Sequence, residues 1–171
     1  MRNPFARGTP VPAAVLARVP GRALAGTVAR DGSWLVGTRE ALFLVPPTGD
    51  AERIPWEQVE RADWDREAER LRVLEVGEFG HRRPEHLFAI EHPGQLLELV
   101  RERVTASVVL QRRVVVSGRS GFFVIARRPP TGGGEITWAY EFDAGVDPDE
   151  PGVREATEQA LRVAAEELGL G

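Results

Sequence analysis

The chain has 171 residues, a formal net charge of -4 and no cysteine. A chain of this length buries roughly two-thirds of its unfolded surface, so a stable fold needs no metal or disulfide staple. The missing thiols exclude a disulfide framework, a thiolate zinc site and a cysteine nucleophile.

In chain order, Arg2 and Arg7 precede a short apolar patch that Pro10, Pro12, Arg18 and Pro20 interrupt, so no secretory leader is expected. No stretch approaches the ~20 apolar residues of a membrane span, and a cytoplasmic location is the expectation. Residues 1–22 read as a proline-rich arm, extended from 3 to 21, that either dangles or packs across a surface. Short strand-like runs follow at 23–29, 34–38, 41–45, 52–55, 59–64, 71–76 and 86–91. Asp31-Gly32 and the 46–50 segment supply turns, and a polar loop with Gly77, Gly80 and Pro84 precedes the last run. This meander predicts a small barrel or orthogonal sandwich. A helix over 95–104 closes it, with Leu96, Leu97, Val100 and Val104 on one stripe and Pro93 near its start.

Residues 105–171 predict a β-β-β-α extension packed on the 23–104 unit. Strands at 108–116 and 122–128 flank a glycine-containing turn at 117–121, and Gly132, Gly133 and Gly134 lead to a third strand. In that strand Ile136, Trp138, Tyr140 and Phe142 alternate with smaller or polar residues, so one face needs a cover. The helix over 153–168 supplies it through Val153, Thr157, Ala160, Leu161, Ala164 and Leu168, and Gly169 ends it.

Seven strands capped by one helix is the order of the pleckstrin-homology fold, and residues 32–99 resemble the bacterial PH-like, GRAM-type branch. The resemblance rests on Ser33-Trp34-Leu35-Val36-Gly37-Thr38-Arg39-Glu40-Ala41-Leu42-Phe43-Leu44 and on Arg53-Ile54-Pro55-Trp56-Glu57-Gln58-Val59. All 22 basic residues are arginine, the usage of a GC-rich genome, and the whole is similar to actinobacterial proteins of this size. The fold class is then α+β, a PH-like antiparallel meander or barrel capped by a helix and followed by the β-β-β-α extension. The resemblance implies a scaffold that binds protein or lipid. For anionic lipid the first hairpin offers only Arg22, Arg30 and Arg39 beside Asp31 and Glu40, a thin charge.

His81, His86 and His92, with Glu85 and Glu91, lie close in sequence. In a strand His86 and His92 would stand about 20 Å apart, and their spacing matches no metal-ligand pattern, so surface histidines and no metal are expected. Asp63 and Asp65 bracket Trp64, with both carboxylates on one strand face about 7 Å apart and Trp64 toward the core; arginines at 61, 66 and 70 make them a charge-balanced strand end. Asp147, Asp149 and Glu150 lack the glycine and distal glutamate of a calcium loop and read as the start of the last helix. The glycine turns precede no helix, unlike phosphate loops. Ser33, Ser107, Ser117 and Ser120 have no nucleophile-elbow frame. No catalytic residue and no cofactor are assigned.

One stretch stands out. Residues 101–128 carry Arg101, Arg103, Arg112, Arg113, Arg119, Arg127 and Arg128 against the single acid Glu102. With Phe122 and Phe123 among them they form a possible binding surface for nucleic acid or an acidic partner. Glu155, Glu158, Glu166 and Glu167 of the last helix are the acids available to neutralise it. The expected function is a non-enzymatic interaction module that docks another protein. Nucleic-acid or anionic-surface binding through 101–128, including peripheral membrane contact, is the alternative, and a small hydrolase built on His86 with Asp63 and Asp65 is the third reading.

Overall fold

Alternation and turn chemistry account for the first four strands, β1 (Ala25–Val28), β2 (Trp34–Gly37), β3 (Ala41–Val45) and β4 (Glu52–Pro55). They form an antiparallel sheet in the order β1-β2-β3-β4. Between β1 and β2 the Asp31 carboxylate accepts the Ser33 N–H (2.9 Å) while Gly32 takes a φ of 86°, which costs a residue without Cβ little. All five residues of β3 are buried, because both faces of this sheet are covered. Leu42 and Leu44 join Leu35, Ile54 and Trp56 in one cluster, whereas Ala41, Phe43 and Val45 join Val36 and Val19 in another.

The computed structural model describes residues 10–77 and 81–171. The chain divides into two units, one of the described residues up to Ser107 with Pro129–Gly134, the other of Val108–Arg128 and Glu135–Gly171. The described residues are α+β, with three antiparallel sheets. Among the described residues no helix is long and apolar enough to cross a membrane.

The second cover of the four-stranded sheet corrects the expected extended arm. Residues 3–9 lie outside the described part, but Ala13–Leu16 form a short helix, α1, and Val11, Val15 and Val19 pack on the Phe43 face. Arg18 ties this segment down by donating to the Pro46 carbonyl (2.8 Å) and to that of Gly49. Proline at the position before α1 suits a helix start, where a missing N–H costs nothing.

A single 3-10 turn, Trp56–Gln58, separates β4 from the second sheet of β5 (Val59–Asp65), β6 (Arg70–Glu75) and β7 (Glu85–Ala89), in the order β5-β6-β7. The barrel expected from the meander is therefore not closed. Among the described residues no ladder joins β4 to β5 or β1 to β7; near the second of these seams a single backbone bond runs from Arg30 N–H to the Ala89 carbonyl (2.9 Å). Of the predicted loop before β7, Gly80 lies outside the described residues. Helix α2 (Leu96–Ser107) packs its Leu96 and Val100 into the same core as Leu35, Val59, Leu71 and Val73. Leu99, outside the predicted stripe, is buried too: a Cβ on Gly37 would stand 2.5 Å from its Cδ2, so any larger residue on β2 there would make Leu99 shift.

In the other unit β8 (Val108–Ser117), β9 (Ser120–Arg127) and β10 (Thr137–Phe142) form a sheet in the order β10-β9-β8, and α3 (Pro151–Glu167) packs against it. Gly118, with a φ of 58°, opens the two-residue loop between β8 and β9, as a II′ hairpin requires. Trp138, Tyr140 and Phe142 gather with Phe122 and Val124 against Ala156, Ala160 and Ala164 of α3. Ile136 lies outside both strand and cluster. Gly169, at φ 71°, stops α3 by donating to the Glu166 carbonyl (3.0 Å).

Candidate functional site

Two places in the first unit gather polar chemistry against an apolar wall. The first is a groove of about 450 Å³ along β5, walled by α2 and lined by Trp64, Leu97, Val100, Val104, Arg61 and Arg101. β5 is an edge strand, paired only with β6 among the described strands. Its inward residues Ala62 and Trp64 are partly buried against the core. Outward, Arg61 donates to Asp63 (2.9 Å). Arg101 projects exposed from α2 and makes no ion pair among the described residues.

The second place lies where the core-facing sides of the two sheets end. Strand alternation carries Glu52 two residues before fully buried Ile54, Glu75 two residues after fully buried Val73, and His86 two residues before Phe88. The register confirms the facing, since Glu52 opposes core residue Leu44, His86 opposes Val73, and Phe88 opposes Leu71. His86 Nε2 lies 2.7 Å from Glu75 Oε2, with both side chains 19% exposed. One ligand-type atom from each of Glu52, Glu75 and His86 falls within 4.8 Å of the others. The His86 ring lies parallel to that of Phe88, with centroids 6.3 Å apart.

This placement corrects the expectation of surface histidines for His86. The residues that sequence reasoning missed are Glu52 and Glu75. Their signal was a charged group in phase with an apolar strand face, but only the pairing of separate sheets brings them to one point. His81 is exposed, and His92 sits beyond the end of β7, where its carbonyl accepts the Thr27 hydroxyl (2.7 Å).

The other candidates fall apart in space. Asp63 pairs across the ladder with Arg72, and Arg72 with Leu87, on the face of the sheet opposite to His86. Asp65 instead accepts the Ala68 N–H in the β5–β6 turn (2.9 Å). The carboxylates and imidazole of the hydrolase reading therefore do not converge. On the same outward face Arg72 donates to Glu85 (2.7 Å), which holds the Glu85 carboxyl below its usual range. Asp147 accepts the Asp149 N–H (2.9 Å) before α3, a turn role.

The arginines of 101–128 are spread over both units. Arg101 and Arg103 belong to α2, where Arg103 is mostly covered and lies 3.6 Å from Glu102. In the second unit Arg112 donates to Glu167 of α3 (2.8 Å). Arg113 forms a two-pronged contact with Asp143 (2.9 and 2.5 Å) and lies over the Phe123 ring at 5.0 Å. Arg119 is exposed in the hairpin loop and lends its carbonyl to Arg113 (3.0 Å), Arg127 is 4% exposed, and Arg128 is partly buried.

Asp143 is the best-held acid of that unit. It accepts from Arg113 and from the Gly121 N–H (2.9 Å), and these bonds, the Arg113 one first, lower its pKa to about 2. A depressed carboxyl pKa stabilises the fold above its unfolded value near 4, and that contribution disappears as pH falls through about 2. We therefore expect urea midpoints of the native chain to exceed those of Asp143→Asn at pH 5 and the gap to narrow steadily toward pH 2. A gap independent of pH over this range contradicts the assignment.

No family model, curated protein or solved structure matches this chain. The functional reading therefore rests on its own geometry.

Proposed function

We propose that the chain is a cytoplasmic, non-enzymatic interaction module, a PH-like unit with a β-β-β-α extension, that docks another protein by taking an extended segment of it into the groove between β5 and α2. The observation that carries this reading is the groove itself, an open strand edge beside an apolar helix wall with Arg101, which makes no ion pair among the described residues, at hand. An added strand takes its affinity from main-chain hydrogen bonds and its specificity from side-chain pockets. Here the edge of β5 offers the first, Trp64, Leu97 and Val104 offer an apolar pocket, and Arg101 offers a partner for one carboxylate. The order of four strands, three strands and a helix supports the PH-like reading of this unit.

A protein partner is favoured over nucleic acid because Arg112 and Arg113 already hold Glu167 and Asp143 of their own unit. Polyanion binding by counterion release needs cations that are free to pair with phosphates.

Selection of random peptides displayed on phage against the full chain tests the reading. The expected peptides are extended, carry an apolar residue and an acid, and protect amides of β5 from exchange. Arg101→Glu weakens them at least about tenfold, one lost charge-assisted contact's worth, and Leu97→Glu abolishes binding. Peptides that ignore both substitutions, or an unenriched library, sink it.

A further inference from the structure

We infer that Glu52, Glu75 and His86 form a binding site for a divalent first-row metal ion of the zinc class, at the open end of the core between the two sheets of the first unit. The site is separate from the peptide groove and does not depend on it.

The case begins with where these groups stand. All three occupy core-facing phases of their strands, where the neighbours two residues away are Ile54, Val73 and Phe88. Glu75 and His86 are partly buried there, where a polar group costs free energy unless it finds a partner, whereas Glu52 stands exposed at the rim. His86 and Glu75 satisfy one another at 2.7 Å, but Glu52 arrives from the other sheet, and its carboxylate takes no hydrogen bond or ion pair among the described residues. Two carboxylates thus converge on one imidazole, with atoms of all three inside 4.8 Å. Two carboxylates brought to one point repel each other. A divalent cation between them turns that repulsion into attraction, because two carboxylates neutralise its charge.

The donor set fits the ion. One imidazole nitrogen and two carboxylate oxygens are ligands that zinc and its neighbours accept, at metal distances of about 2.0–2.2 Å. Around such an ion the ligand atoms lie roughly 3–4 Å apart, so Glu75 withdraws slightly from His86 while exposed Glu52 swings inward. The three ligands sit on three different strands, β4, β6 and β7, of two different sheets, so the ion cross-links the open end of the sandwich. Three protein ligands leave at least one position for water or for an incoming group.

The test uses the full, untagged chain stripped of metal by chelation, titrated with zinc chloride by calorimetry and with cobalt chloride by visible absorption at pH 7. One equivalent of zinc is expected to bind and raise the thermal midpoint, since a ligand that binds only the folded state stabilises it. Cobalt gives the intense visible bands of a low-coordinate nitrogen and oxygen site. His86→Gln and Glu52→Gln each weaken zinc by more than the ~10–100-fold typical for loss of a second-shell partner. Glu52 is exposed, so Glu52→Gln leaves the apo fold intact by circular dichroism and keeps the measurement decisive. His81→Ala and His92→Ala leave binding unchanged. The inference is overturned if zinc fails to bind at micromolar concentration, if Glu52→Gln binds as tightly as the native chain, or if removing His81 or His92 abolishes binding.

Discussion

Replacing Trp56 by alanine is expected to destabilise the first unit by about 3–5 kcal/mol, the range for deleting a large aromatic from a core that relaxes incompletely. Trp56 is fully buried in the cluster that joins both sheets and α2, and it sits on the short turn where one sheet hands over to the other. Its indole N–H also donates to the Thr38 carbonyl (2.9 Å). The Thr38 hydroxyl accepts from Ala41 N–H (3.2 Å), so the β2–β3 corner is held from two sides. Trp56→Phe keeps most of the volume but strands that carbonyl, and a smaller loss of about 1–3 kcal/mol follows. Denaturant-dependent exchange at the amides of β2 and β3 reads both changes without contribution from the other unit. A Trp56→Ala loss below about 1 kcal/mol would show that the sheets do not depend on this side chain.

The second large effect belongs to Gly121, and it comes from space alone. This glycine opposes Val115 across the hairpin, and a Cβ built on it would stand 1.9 Å from the Val114 carbonyl oxygen and 2.9 Å from the Val115 Cα. Both are backbone atoms of the partner strand, so no rotamer change relieves the clash. Gly121→Ala forces β8 and β9 apart beside fully buried Phe122, and it disturbs the N–H that Asp143 accepts. We expect a loss of about 3–5 kcal/mol in the second unit, at the upper end of single-substitution effects. Gly118→Ala is the control. It meets nothing within 4 Å and suffers only from its φ of 58°, so about 1–2 kcal/mol is expected. Equal losses for the two substitutions, read by urea unfolding followed at β9 amides, would contradict a steric origin at Gly121.

These two residues also mark how far the sequence could be read. Each long strand and both long helices lie within a few residues of where alternation, helical stripes and turn residues put them. Burial of one face imposes a period that local composition already displays. What escaped was the short α1 and the Trp56–Gln58 turn. Four residues of weak helix and three of 3-10 turn carry too little periodicity to be seen, and Val11, Val15 and Val19 hold α1 only through contact with a distant sheet. Leu99 was missed although it stands three residues after Leu96, a spacing that shares a helix face, and Gly37 on β2 leaves room for its close approach.

The candidate sites divide along the same line. The seven-arginine stretch was plain in the sequence, yet its meaning depends on partners 30 and 55 residues away, Asp143 for Arg113 and Glu167 for Arg112. Asp63, Asp65 and His86 were each visible as titratable groups. Whether they meet depends on strand phase and pairing, and the register puts the carboxylates and the imidazole on opposite faces.

By itself, then, the sequence determined what is local: the absence of thiol chemistry, the strand and helix order, the hairpin turns and the arginine-rich run. Those follow from side-chain chemistry and from periods of two and 3.6 residues, which act over a few neighbours. Tertiary structure alone decided that the meander stays open as two sheets, that a groove lies beside β5, and that Glu52, Glu75 and His86 come together. Each of these depends on which distant strands share a core, and that is settled by packing and register over the whole unit.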